Sequence, residues 1–70
     1  MLDTDGIKTL SELRVLKGLT QEQLANESGI AVSLIKQIED GSAKPRGSGA
    51  GNIATALGVD LFVITELLGM

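Results

Sequence analysis

Ile7, Leu10 and Leu13 recur at three-residue intervals, the spacing of one face of a helix. Asp3, Thr4 and Asp5 stand ahead of them as capping candidates, and Gly18 follows Lys17 as a stop, so a first helix is predicted over about residues 5 to 17. Thr20-Gln21-Glu22-Gln23 has the form of a capping box. The Thr20 hydroxyl can accept from the amide of Gln23 while the Gln23 side chain returns to the amide of Thr20. A short second helix follows and ends at Gly29. Ala31 to Glu39 carries Leu34, Ile35 and Ile38 at helical offsets before Asp40-Gly41 breaks the pattern, which predicts a third helix.

Gly41 to Gly51 holds four glycines, two serines and the only proline, the composition of a loop. A fourth helix is predicted from about Ser48 or Ala50 to Leu57, closed by Gly58. Each glycine within a helix costs about 1 kcal/mol relative to alanine, so this helix should start late or fray. A fifth begins at Asp60, whose carboxylate suits the positive end of a helix. No alternating strand pattern and no internal repeat is present. The expectation is an all-α, five-helix fold in one small domain spanning residues 1 to 70.

The pair of short helices joined by Ser28-Gly29-Ile30 carries the most information. A glycine at the bend tolerates positive φ, and Ala25 is small enough to let the helices approach, which together describe a helix-turn-helix over about residues 20–39. On a wheel of about 100° per residue, Ala31, Leu34, Ile35 and Ile38 share one side of the third helix. Val32, Ser33, Lys36 and Gln37 gather opposite, offering a methyl-bearing group, a hydroxyl, a cation and a carboxamide to a major groove.

Composition narrows the alternatives. The chain has no cysteine and no histidine, which removes disulfides, thiolate and imidazole metal ligands, and histidine-based acid–base catalysis. Phe62 is the sole aromatic residue, too few for base-stacking recognition of single strands. Glu22, Glu27, Asp40 and Glu66 fall on different helices or exposed faces, and no pair is spaced to share a proton or a metal. The glycine cluster lacks the Gly-Lys-Ser/Thr ending of a nucleotide loop. No cofactor, small-molecule ligand or enzyme activity is therefore expected. The longest unbroken apolar run, Leu61 to Ile64, is too short to span a bilayer, and the acidic first five residues are unlike a signal peptide, so a cytoplasmic location is expected.

A net charge of -3 argues at first sight against a nucleic-acid partner. Its distribution reverses that argument. Residues 36 to 46 hold Lys36, Lys44 and Arg46 against Glu39 and Asp40, a local balance of +1, while residues 47 to 70 hold Asp60 and Glu66 and no basic residue.

Leu19-Thr20-Gln21-Glu22-Gln23-Leu24-Ala25, Ser28-Gly29-Ile30, Ile35-Lys36-Gln37-Ile38-Glu39-Asp40-Gly41, Lys44-Pro45 and Ile53-Ala54-x-Ala56-Leu57-Gly58-Val59 resemble, in order, the lambda-repressor/Cro-type helix-turn-helix family. The resemblance covers about residues 7 to 68. It implies a bacterial or phage-encoded DNA-binding regulator, usually a repressor that binds a short pseudo-palindromic operator as a homodimer. By position, Val32, Ser33 and Gln37 fall where the family reads bases. Gln21 resembles the family glutamine that bonds a phosphate and often braces a base-reading side chain, and Lys36, Lys44 and Arg46 lie nearer the DNA backbone. Arg14 and Glu39 match a pair that in some members joins helix 1 to the end of helix 3.

Two departures stand out: Ala31 where many members carry a capping Ser or Thr, and Gly47 and Gly51 where larger apolar residues are usual, with Gly49 between them. In the fifth helix, Leu61, Phe62, Val63, Ile64, Leu67 and Leu68 cover more of the circumference than one core face needs. Phe62, Val63 and Leu67 are the expected dimer contacts. The competing reading is a protein-interaction module on the same fold, such as an antirepressor, an antitoxin or a regulatory subunit, which the acidic balance favours.

Overall fold

The computed structural model describes residues 6–70, and the capping candidates Asp3, Thr4 and Asp5 lie outside the described residues. Five helices follow one another: α1 (Leu10–Leu16), α2 (Gln21–Ser28), α3 (Val32–Asp40), α4 (Gly49–Leu57) and α5 (Leu61–Leu68). Among the described residues there is no strand, so the all-α expectation holds.

α1 starts later than the periodicity predicts. Gly6 has φ of +86°, outside the helical region, and Thr9 is extended. The Thr9 hydroxyl accepts from the Glu12 amide at 3.1 Å, while the Glu12 carboxylate accepts from the Lys8 amide at 2.7 Å. These bonds begin the helix at Leu10 and leave Ile7 in the lead-in, where it still packs against the core.

The Thr20–Gln23 capping box forms as predicted. Thr20 Oγ1 accepts from the Gln23 amide at 3.0 Å, and Gln23 Oε1 accepts from the Thr20 amide at 2.8 Å. Gly29 ends α2 in the left-handed region at φ +72°, and its amide donates to the Ala25 carbonyl. α3 is shifted one residue later than predicted, with Ala31 as its cap residue and no side-chain bond there. Ala31 is consequently exposed, not part of the core face: its backbone is not yet helical, so the wheel does not apply to it.

Leu10, Leu13, Leu24, Ile35, Ile53 and Ile64 are the large fully buried side chains, drawn from all five helices. α2 packs against α3 and α4, α4 against α5, and α1 against α5. Truncating any of these residues to alanine would cost about 2 to 5 kcal/mol, a large share of what a domain this small has. The core thus holds α3 by one side only.

The glycine-rich start of α4 has a packing reason. Gly49 is buried, and a Cβ built on it would stand 3.1 Å from Pro45 Cβ and 3.7 Å from Ile30 Cδ1. Pro45 is itself buried, seated against the space that Gly49 leaves open. Ser48 precedes the helix without a side-chain cap bond. Asp60 caps α5 as expected, accepting from the Phe62 amide at 3.0 Å.

Candidate nucleic-acid interface

The buried row Ile35 and Ile38, with Leu34 half-buried beside it, turns the opposite side of α3 outward. Ser33, Lys36 and Gln37 are all exposed there. Val32, next to Ser33, is half-buried and packs in part against the core.

The segment after α3 is fastened to it. Gly41 closes the helix at φ +88°, and the Gln37 carbonyl accepts from the amides of Ser42 (2.8 Å) and Ala43 (3.2 Å). The backbone of Gln37 therefore anchors the loop while its side chain stays free. Gln37, Ser42, Lys44 and Arg46 line one open groove with Ile30 and Leu34 beneath them. Lys44 and Arg46 are exposed on either side of buried Pro45, so the proline seat in α4 determines where both cations stand. Lys36 is exposed but does not line that groove.

Behind the face lies a polar cluster. Arg14 Nε donates to Glu39 Oε2 at 2.7 Å and Arg14 Nη2 to Glu39 Oε1 at 3.3 Å, a two-pronged pair whose side chains are 12% and 6% exposed. Arg14 Nη1 also donates to the Leu19 carbonyl at 2.8 Å, and Nη2 contacts Ser11 Oγ at 3.4 Å. Gln21 Nε2 donates to Glu39 Oε1 at 2.9 Å. The pairing of Arg14 with Glu39 matches the expectation from sequence. The bond from Gln21 does not follow from the family role assigned to it, and its signal is absent from any one-dimensional pattern because 18 residues separate the partners.

Glu39 is neutralised by Arg14, which leaves Asp40 as the exposed anion at the end of α3. Asp40 Oδ1 accepts from both the hydroxyl and the amide of Ser42. Those bonds, the hydroxyl's first, hold the Asp40 carboxyl below its ordinary pKa. An Asp–x–Ser step after a helix is the signal that sequence reading passed over.

On α5, Val63 and Leu67 pack in part against the chain's own core, and Leu67 lines a cleft with Glu39, Asp40 and Lys44, whereas Phe62 is 66% exposed and Leu61 is exposed beside it. Val15 and Leu16 on α1 are exposed as well. Of the three residues expected at a dimer contact, only Phe62 is left open to solvent; the core of this small domain takes part of the other two.

Two short helices meeting at a left-handed glycine, the second presenting an outward polar face beside two loop cations, define a helix-turn-helix domain of the DNA-binding kind. The sequence model of the lambda repressor/Cro-type helix-turn-helix family matches residues 10–64, and the chain belongs to that family, one of DNA-binding transcription regulators and not of enzymes. A comparison with curated protein sequences gave no match. No single helix among the described residues is long and apolar enough to cross a membrane.

Proposed function

We propose that the protein is a sequence-specific repressor that binds a pseudo-palindromic operator as a homodimer, with α3 of each copy in successive major grooves about 34 Å apart. One observation carries the reading: Gln37 lines the same groove as Lys44 and Arg46, so a base-reading group and two phosphate-seeking groups share one surface. Ser33 and Gln37 read base edges, and half-buried Val32 sets the exposed part of its side chain against a thymine methyl. Lys36, Lys44 and Arg46 contact phosphates. Repression by occlusion needs no further surface.

Exposed Phe62 and Leu61 on α5 supply the dimer contact. The protein-interaction reading draws support from the net charge of -3. In-vitro selection of duplexes, followed by binding over a salt series, separates the two. A selected palindrome whose log K falls steeply with log salt supports the operator reading. Absence of binding to any selected duplex at low salt overturns it in favour of a protein partner.

A further inference from the structure

We infer that Gln37 selects adenine, so that each operator half-site carries an A·T pair at the position facing it. The inference rests on the major-groove reading of α3 and adds which base that surface prefers. Gln37 is exposed, and it lines the groove that Lys44 and Arg46 also line. Its backbone carbonyl accepts from the amides of Ser42 and Ala43, so the loop that carries both cations is fastened to the residue that reads. With Lys44 and Arg46 on phosphates, Gln37 stands at a set offset from the DNA backbone.

A carboxamide offers a donor and an acceptor side by side. Adenine presents their complement in the major groove, an acceptor at N7 and a donor at N6, so Nε2 of Gln37 donates to N7 while Oε1 accepts from N6. Guanine presents two acceptors, N7 and O6, and would leave Oε1 facing another acceptor. Thymine O4 and cytosine N4 each satisfy only half of the amide. The two-pronged side chains of α3 are Gln37, Glu39 and Asp40, and the two carboxylates, which suit cytosine, are engaged within the chain. Glu39 is nearly buried against Arg14, and Asp40 Oδ1 accepts from the hydroxyl and the amide of Ser42. Arg14, whose guanidinium would suit guanine, is held by that same Glu39. Lys36 is exposed but lies outside the groove that Gln37 lines. What α3 turns into that groove is therefore a carboxamide without a competing charge of its own, and its best partner is adenine.

The test compares duplexes selected from a random pool by the wild-type protein and by Gln37→Ala, each checked for folding by circular dichroism. One base-pair position per half-site should lose its preference in Gln37→Ala, and the wild-type base there should be adenine on one strand. Replacing that adenine by 7-deazaadenine removes the N7 acceptor and keeps the base pair; it should weaken wild-type binding about fivefold and leave Gln37→Ala within about twofold of its value on the natural duplex. Gln37→Arg supplies two donors in place of a donor and an acceptor, and selection with it should replace adenine by guanine at the same position. A G·C pair at the position that Gln37→Ala relaxes overturns the inference while leaving the operator reading intact. So does wild-type binding that is indifferent to 7-deazaadenine, or a Gln37→Ala selection that returns the wild-type site unchanged. If the wild-type protein selects no duplex at low salt, the operator reading itself fails and the choice of adenine falls with it.

Discussion

Pro45 and Gly49 meet so closely that a methyl group on Gly49 would stand 3.1 Å from the Pro45 Cβ. The contact joins the start of α4 to the loop that carries Lys44 and Arg46, so a side chain at position 49 has to shift Pro45 by a few tenths of an ångström. Gly51, two residues on, has open space around it.

Gly51→Ala should therefore stabilise the protein by about 0.5 to 1 kcal/mol, the gain expected for alanine over glycine in a helix with no obstruction. Gly49→Ala receives the same helical preference but must push Pro45 aside, so the gain should be absent. Because the displaced segment holds two cations, Gly49→Ala should also weaken duplex binding several-fold while Gly51→Ala leaves it unchanged. Urea unfolding and duplex titration of both variants check this pair, and equal stabilisation by both would remove the role given to the seat of Pro45.

Asp40 supplies a pH prediction. Its carboxyl titrates below the ordinary value because it accepts from the Ser42 hydroxyl and then from the Ser42 amide. The unfolded chain holds that proton more readily than the folded one, so the contribution is present above about pH 4 and is lost as pH falls through the lowered value. Ser42→Ala removes the stronger influence and should move the Asp40 titration upward, towards the ordinary value. Carboxyl carbon shifts followed by NMR from pH 2 to 6 report it directly; an unmoved curve would exclude the hydroxyl as the cause.

Gln37 and Lys44 line one groove and should fail differently. Gln37→Ala should relax preference at one base-pair position, with a loss of about 1 to 3 kcal/mol on the selected site and little on other duplexes. Lys44→Ala should weaken all duplexes alike and lower the salt slope by about one ion per site. Binding to a panel of single-base variants at several salt concentrations distinguishes them. Uniform losses for both would show that Gln37 does not read bases.

Phe62 tests the dimer. Being 66% exposed, it can be exchanged for glutamate with about 0.5 kcal/mol or less effect on folding of the single chain. Self-association measured by sedimentation should fall, and binding to a full palindrome should drop towards that of a half-site. Unchanged association in Phe62→Glu would exclude this face of α5 as the contact.

Much of the fold was legible because its signals are local. The Thr20–Gln23 box, the glycine closing α2 and the buried rows Ile35/Ile38 and Ile53/Leu57 each depend on residues a few positions apart. Arg14 with Glu39 was legible for a different reason, resemblance to a family, since nothing in a 25-residue separation predicts contact. The start of α1 was misplaced because Ile7 continues the apolar spacing although its backbone has not entered the helix; Thr9 and the left-handed Gly6 set the limit.

Sequence by itself determined the five helices, the bend at Gly29 and the polar character of the outward side of α3, because backbone preferences and side-chain periodicity act within a few residues. Tertiary structure alone decided which groups on those faces remain free. Val32, Val63 and Leu67 lose part of their surface to neighbouring elements, Gln21 is drawn to Glu39 by a charge brought from another helix, and Gly49 becomes a seat for Pro45. Burial and partner choice depend on what packs alongside, and that is determined only when the helices meet.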